Sequence, residues 1–105
     1  MICEFDDVAD RERRRAAEHA VGEISNHVED RWPERALLDD VDVDQAWLEA
    51  DPIHYPSAHR GAVARYHRRS DTVILARQGA ITTCIKLLDR PWSERIYIRK
   101  QVSDL

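Results

Sequence analysis

Lysine is almost missing from this chain. Of sixteen basic residues only Lys86 and Lys100 are lysines, while Asp and Glu together number twenty. Cysteine is equally scarce. Cys3 and Cys84 stand far apart with no CxxC spacing, which argues against a disulfide framework or a zinc knuckle and leaves both as thiols. No apolar run approaches the ~20 residues of a membrane-spanning helix, and the acidic N-terminal stretch lacks the basic start and apolar run of a signal peptide. A soluble, cytoplasmic chain without a membrane partner is the expectation. No repeat, low-complexity segment or linker divides the 105 residues. One domain is therefore expected over 1–105, long enough to bury roughly two-thirds of its unfolded surface.

The formal net charge of -4 conceals an asymmetry. Residues 1–51 hold 16 acidic and 6 basic side chains, a balance of -10, and residues 52–105 hold 4 and 10, a balance of +6. Between 52 and 70 no acid occurs, while Arg60, Arg65, Arg68 and Arg69 gather beside His54, His59, His67, Tyr55 and Tyr66. Basic side chains interleaved with aromatics suit a phosphate backbone with exposed bases. The same arginines also suit a solvated sheet edge that resists aggregation.

Residues 62–88 carry the clearest pattern. Three short runs rich in Val, Ile, Thr and Tyr are separated by Arg68-Arg69-Ser70-Asp71 and by Gln78-Gly79, which reads as an antiparallel meander. Gly79 accepts the positive φ of a tight hairpin, and Ser70-Asp71 can close the other turn through side-chain hydrogen bonds. The run 72–77 is apolar at both parities, as in a central strand covered on both faces. In the run 80–88, strict alternation puts Ile81, Thr83, Ile85 and Leu87 on one face and Thr82, Cys84 and Lys86 on the other.

Before the meander, apolar residues Ala17, Ala20, Val21, Ile24 and Val28 recur at helical spacing, predicting a helix from about 7 to 31 with Asp6 or Asp7 as N-cap. The arginine-rich run 11–15 reads as its solvated face. His27 and Arg31, four apart, project from one side. Pro33 sets Trp32 against helical geometry, so a stop at Arg31 and a restart with Pro33 as first residue is expected. The acids Asp39, Asp40, Asp42 and Asp44 precede a short helix from 43 to 49. They lack the glycine and distal Glu of a calcium loop, and no metal site is expected. A short edge strand is expected around 53–55. The alternation of Ile96, Ile98 and Val102 favours a final strand over 95–102, although a helix starting near Ser93 fits nearly as well.

Taken together, H-x3-R-W-x2-R (His27, Arg31, Trp32, Arg35), Ala46-Trp47, and the stretch from Ala64 to Leu87 resemble small prokaryotic proteins of RelE-like toxin fold, in order and in spacing. These sit in the wider barnase, EndoU, colicin and RelE-like ribonuclease group, and the likeness is to haloarchaeal members in particular. The resemblance covers roughly residues 20–88. It implies an α+β fold with one or two N-terminal helices (1–50) on a four-stranded antiparallel sheet (51–105). It also implies a metal-independent endoribonuclease with no cofactor, acting as a toxin on RNA, free or ribosome-bound, and held by an antitoxin protein. By position, the resemblance makes His27, Arg31 and Thr83 the catalytic candidates, with Arg35 and Tyr66 as weaker matches. A catalytically inactive nucleic-acid-binding or regulatory partner is the alternative, and an interaction module using the acidic half a third.

The chemistry can be argued from the residues alone. Metal-free RNA cleavage attacks phosphorus with the 2′-hydroxyl, so it needs a base, an acid for the 5′-oxygen and positive charge at the phosphoryl oxygens. His27 would serve as base or acid. Arg31 would grip the phosphate in a bidentate fork, and Thr83 would donate one hydrogen bond to it. His67, or Tyr66 at a reference pKa of ~10, would supply the acid. Arg35, Arg65, Tyr66, His67, Arg68 and Arg69 are the candidate RNA contacts.

Overall fold

The structure, a computed structural model, describes residues 4–37 and 40–103, with side chains from residue 8 onward, so Cys3 and Asp39 lie outside it. Four helices pack on both faces of a five-stranded sheet. The elements run α1 (Glu4–Glu18), β1 (Glu23–Ile24), α2 (Asn26–Ala36), α3 (Val43–Glu49), β2 (Asp51–Ile53), β3 (Val63–His67), β4 (Thr72–Arg77), β5 (Ala80–Lys86) and α4 (Trp92–Ser103). Strand order is β1-β5-β4-β3-β2. The class is α+β as expected, but the sheet is mixed rather than four-stranded and antiparallel, because β1 adds to β5 in parallel.

That fifth strand also corrects the single helix expected over 7–31. Gly22 costs a helix interior about 1 kcal/mol relative to alanine, and here the chain leaves helical geometry around it. The N–H groups of Gly22 and Glu23 donate to the Gly79 carbonyl at 2.8 and 3.2 Å, and that of Ser25 donates to the Ile81 carbonyl at 3.0 Å. Pairing with the hairpin thus replaces helical bonds. Ala17 and Ala20 are exposed as a result, while Val28 is fully buried. α1 begins upstream of Asp6 and Asp7, which are not its cap. Ser25 caps α2, its Oγ accepting from the Val28 N–H at 3.3 Å. α2 runs through Pro33 without stopping at Arg31 and ends at Leu37 in the left-handed region, φ 57°. Pro33 is tolerated at an exposed position there, where its ring meets solvent.

The meander forms where the turn chemistry put it. Gln78 and Gly79 both take positive φ, 52° and 82°, as a tight primed hairpin turn requires, and Asp71 takes 53° in the other turn. β4 is buried from Thr72 to Ala76. Its register with β5 slips between Leu75, opposite Thr83, and Ala76, opposite Ile81. Thr82 is the extra residue of a β-bulge. Everything after it changes face relative to strict alternation. Ile81 and Cys84 therefore share the core under α1, α2 and α3, with Val28, Trp32, Trp47 and Ile74. Thr83, opposite Leu75, lies on the other face, where Ile85, Val73, Leu75 and Tyr66 meet α4.

Residues 92–103 are helical rather than a strand. Pro91 starts the helix, its carbonyl accepting from the N–H groups of Glu94 and Arg95 at 3.1 Å. Ile98 and Val102, one turn apart, are buried, whereas Ile96 is exposed. Gln101 from this helix covers the chain just past β2. Its Oε1 accepts from the His54 N–H and its Nε2 donates to the His54 carbonyl, each at 2.8 Å, as a neighbouring strand would. No described helix is long and apolar enough to cross a membrane.

Candidate active site

Three of the RNA-contact candidates come together at the turn between β3 and β4. His67 ends β3 on the face covered by α2 and α3, beside Trp32, and is 2 % exposed. Its Nδ1 lies 2.7 Å from Ser70 Oγ and its Nε2 lies 3.0 Å from Glu49 Oε1 at the end of α3. Arg68 donates through Nε to Asp51 at 2.7 Å and through Nη2 to the Val102 carbonyl at 2.7 Å. Arg69 donates to Asp40 at 2.6 Å and lies 3.6 Å from Glu49. Glu49, Asp51, His67, Arg68 and Arg69 line one cavity of about 240 Å³.

Glu49 is the accessible end of the His67 pair, and the hydrogen bond from His67 holds its carboxyl below the usual range, helped by the Arg69 charge. It stays ionised at neutral pH, the form a base must have. The bond from Arg69 likewise depresses Asp40. The arrangement joins a carboxylate–imidazole pair that can exchange a proton with two guanidinium groups that can receive phosphoryl oxygens. Among the described residues, no group of three His, Cys, Asp or Glu side chains is placed to hold a metal ion.

The catalytic set taken from the resemblance is not brought together. His27 is exposed on α2 and makes no hydrogen bond or ion pair among the described residues. Arg31, also exposed, has only Glu34, at 3.9 Å, as an ion-pair partner among the described residues. Thr83 lies across the sheet from both, because the bulge at Thr82 reverses its expected orientation. Three further RNA-contact candidates, Arg65, Arg35 and Tyr66, turn inward. Arg65 donates to the carbonyls of Ala16 at 3.0 Å, Ala17 at 3.1 Å and Trp47 at 2.8 Å, and its guanidinium sits 4.3 Å from the Trp47 ring centroid. It thereby binds carbonyls at the C-terminal end of α1, which helical bonds leave open. Arg35 donates to the Cys84 carbonyl.

Tyr66, 6 % exposed, donates to Asp71, which also accepts from Arg99 at 2.7 Å. Burial, then the Asp71 bond, raises its phenol to about 12. The folded form therefore favours neutral Tyr66, a contribution complete below the unfolded pKa near 10 and lost as pH climbs towards 12. Urea midpoints are expected to fall across that window, and to fall less in Tyr66→Phe. An equal fall in the variant would show that Tyr66 does not carry the effect.

Glu49 and Asp51 are the site residues the sequence reading missed. The signal was the acidic first half facing the basic second half, which here meet in ion pairs. A family model, "Putative RelE superfamily toxin domain", matches residues 24–88, from β1 through the whole meander. The chain belongs to that toxin-domain family. No curated protein and no solved structure matches it. The toxin domain so defined contains the whole cavity, from Glu49 to Arg69, and stops before α4.

Proposed function

We propose that this RelE-superfamily toxin domain is a metal-independent endoribonuclease acting at the β3–β4 turn. The observation that carries the reading is the cavity where Glu49 and His67 are hydrogen-bonded beside Arg68 and Arg69. The 2′-oxygen attacks the adjacent phosphorus, the bond from phosphorus to the 5′-oxygen breaks, and a 2′,3′-cyclic phosphate forms. Glu49, with His67 behind it, takes the 2′-hydroxyl proton, and the 5′-oxygen is protonated from solvent. Arg68 and Arg69 balance the charge gathering on the phosphoryl oxygens. Their pairs with Asp51 and Asp40 must open first. Both arginines are about half exposed, so water weakens each pair and a phosphate can displace the carboxylate. A partner covering this turn would serve as antitoxin.

The test is incubation of the purified chain with labelled single-stranded RNA in chelator. Fragments ending in 2′,3′-cyclic phosphate are the expected product, with cleavage kept in His27→Ala. Intact RNA, alone and with ribosomes, would overturn the catalytic reading. It would favour the silent nucleic-acid-binding partner, a reading consistent with the occupied state of both arginines.

A further inference from the structure

We propose that the outward stripe of α4, formed by Trp92, Ile96 and Lys100, is a docking surface for single-stranded RNA, with Trp92 stacking on an unpaired base. The inference rests on the RNA reading above and adds a second contact to it. Trp92 is 69 % exposed, whereas Trp32 and Trp47 are buried. Residues 92, 96 and 100 follow one another at single turns on one side, while Ile98 and Val102 hold the other side to the sheet. A large aromatic left in water with Ile96 beside it is a feature that marks contact surfaces.

Charge selects the occupant. The chain as a whole is negative, yet α4 carries Arg95, Arg99 and Lys100 against Glu94 alone. Arg99 bonds Asp71 and the Nε of Arg95 is buried, whereas Lys100 is exposed and its ammonium has no partner among the described residues. An exposed aromatic set among cations is the arrangement that holds single strands, stacking bases while tracking phosphates. Position supports the same occupant. Arg68 binds the Val102 carbonyl and Arg99 binds Asp71, fastening α4 to the turn that bears the cavity. A strand leaving the cavity would first reach the C-terminal half of α4, where Lys100 lies between these two contacts in sequence. α4 lies beyond residues 24–88, the stretch that the family model matches.

A fluorescein-labelled 2′-O-methyl uridine dodecamer, whose blocked 2′-oxygen prevents cleavage, gives the reading by anisotropy at low salt. Trp92→Ala is expected to raise Kd about 5- to 100-fold, with Trp92→Phe recovering most of the loss. Lys100→Glu is expected to weaken binding and to flatten the salt dependence. Because Trp92 is exposed, these variants should unfold at the wild-type urea concentration. Wild-type binding that Trp92→Ala leaves unchanged would overturn the inference and assign the stripe to a protein partner. Absence of wild-type binding would overturn it too. Binding that depends on Trp92 without cleavage of ordinary RNA would uphold this inference while removing the catalytic reading. Cleavage with no Trp92 effect would do the reverse.

Discussion

Trp47→Ala is expected to destabilise the protein by about 3–5 kcal/mol, the range for deleting a large aromatic from a packed core. Trp47 is 2 % exposed on α3 and belongs to the cluster that joins α1, α2 and β3 to β5. It supports more than its own contacts. The Arg65 guanidinium lies on its ring and from there reaches three carbonyls, two in α1 and that of Trp47 itself. Removing the ring deletes a cation–π contact of about 1–2 kcal/mol and leaves a charged group over a cavity. Domains of this size are stable by ~5–15 kcal/mol, so the loss removes a large part of the total. Urea unfolding would measure it. Trp47→Phe, which keeps an aromatic face for Arg65, is expected to lose less. A loss below ~1 kcal/mol in Trp47→Ala would show that Arg65 and α1 are held by something else.

Arg65 illustrates what could be read from the sequence and what could not. The meander was legible because each turn is decided locally: Gly79 takes the positive φ that a tight hairpin needs, and Asp71, a residue type that tolerates it, does so in the other turn. β4 was legible because burial on both faces leaves apolar residues at both parities. The orientation of Thr83 was not. It depends on a bulge at Thr82 that neither glycine nor proline marks, and one extra residue reverses the face of its neighbours. The last segment was ambiguous because Ile96, Ile98 and Val102 satisfy a period of two, while only Ile98 and Val102, four apart, are buried. The helix over 7–31 failed because the pairing of residues 22–25 with the hairpin from Gly79 to Ile81 is a tertiary event. Of the candidate site, only the basic half could be read in advance. His67, Arg68 and Arg69 announced themselves as bases without nearby acids, but Glu49 and Asp51 reach them only because α3 and β2 fold back across β3.

His67→Gln is expected to lower the rate of cleavage about 10²- to 10⁴-fold, the usual contribution of a positioned acid–base group. Glutamine can still donate to Glu49 and accept from Ser70, so it preserves the hydrogen bonds seen at 3.0 and 2.7 Å, but it cannot share a proton at neutral pH. Affinity for the 2′-O-methyl dodecamer should stay within a few-fold of wild type, and the urea midpoint should change little. His67→Ala is a different experiment. It leaves Ser70 and Glu49 without their partner beside a void, and its losses would mix folding with chemistry. Glu49→Gln supplies the second arm, because it removes the base while keeping a group that can bond the imidazole. If Glu49 takes the proton, its pH–rate profile should lose the acidic limb that ionisation of Glu49 gives the wild type. Wild-type rates in His67→Gln would remove the imidazole from the mechanism. A slow His67→Gln beside a Glu49→Gln with unchanged rate and pH profile would make His67, rather than Glu49, the group that meets the 2′-hydroxyl.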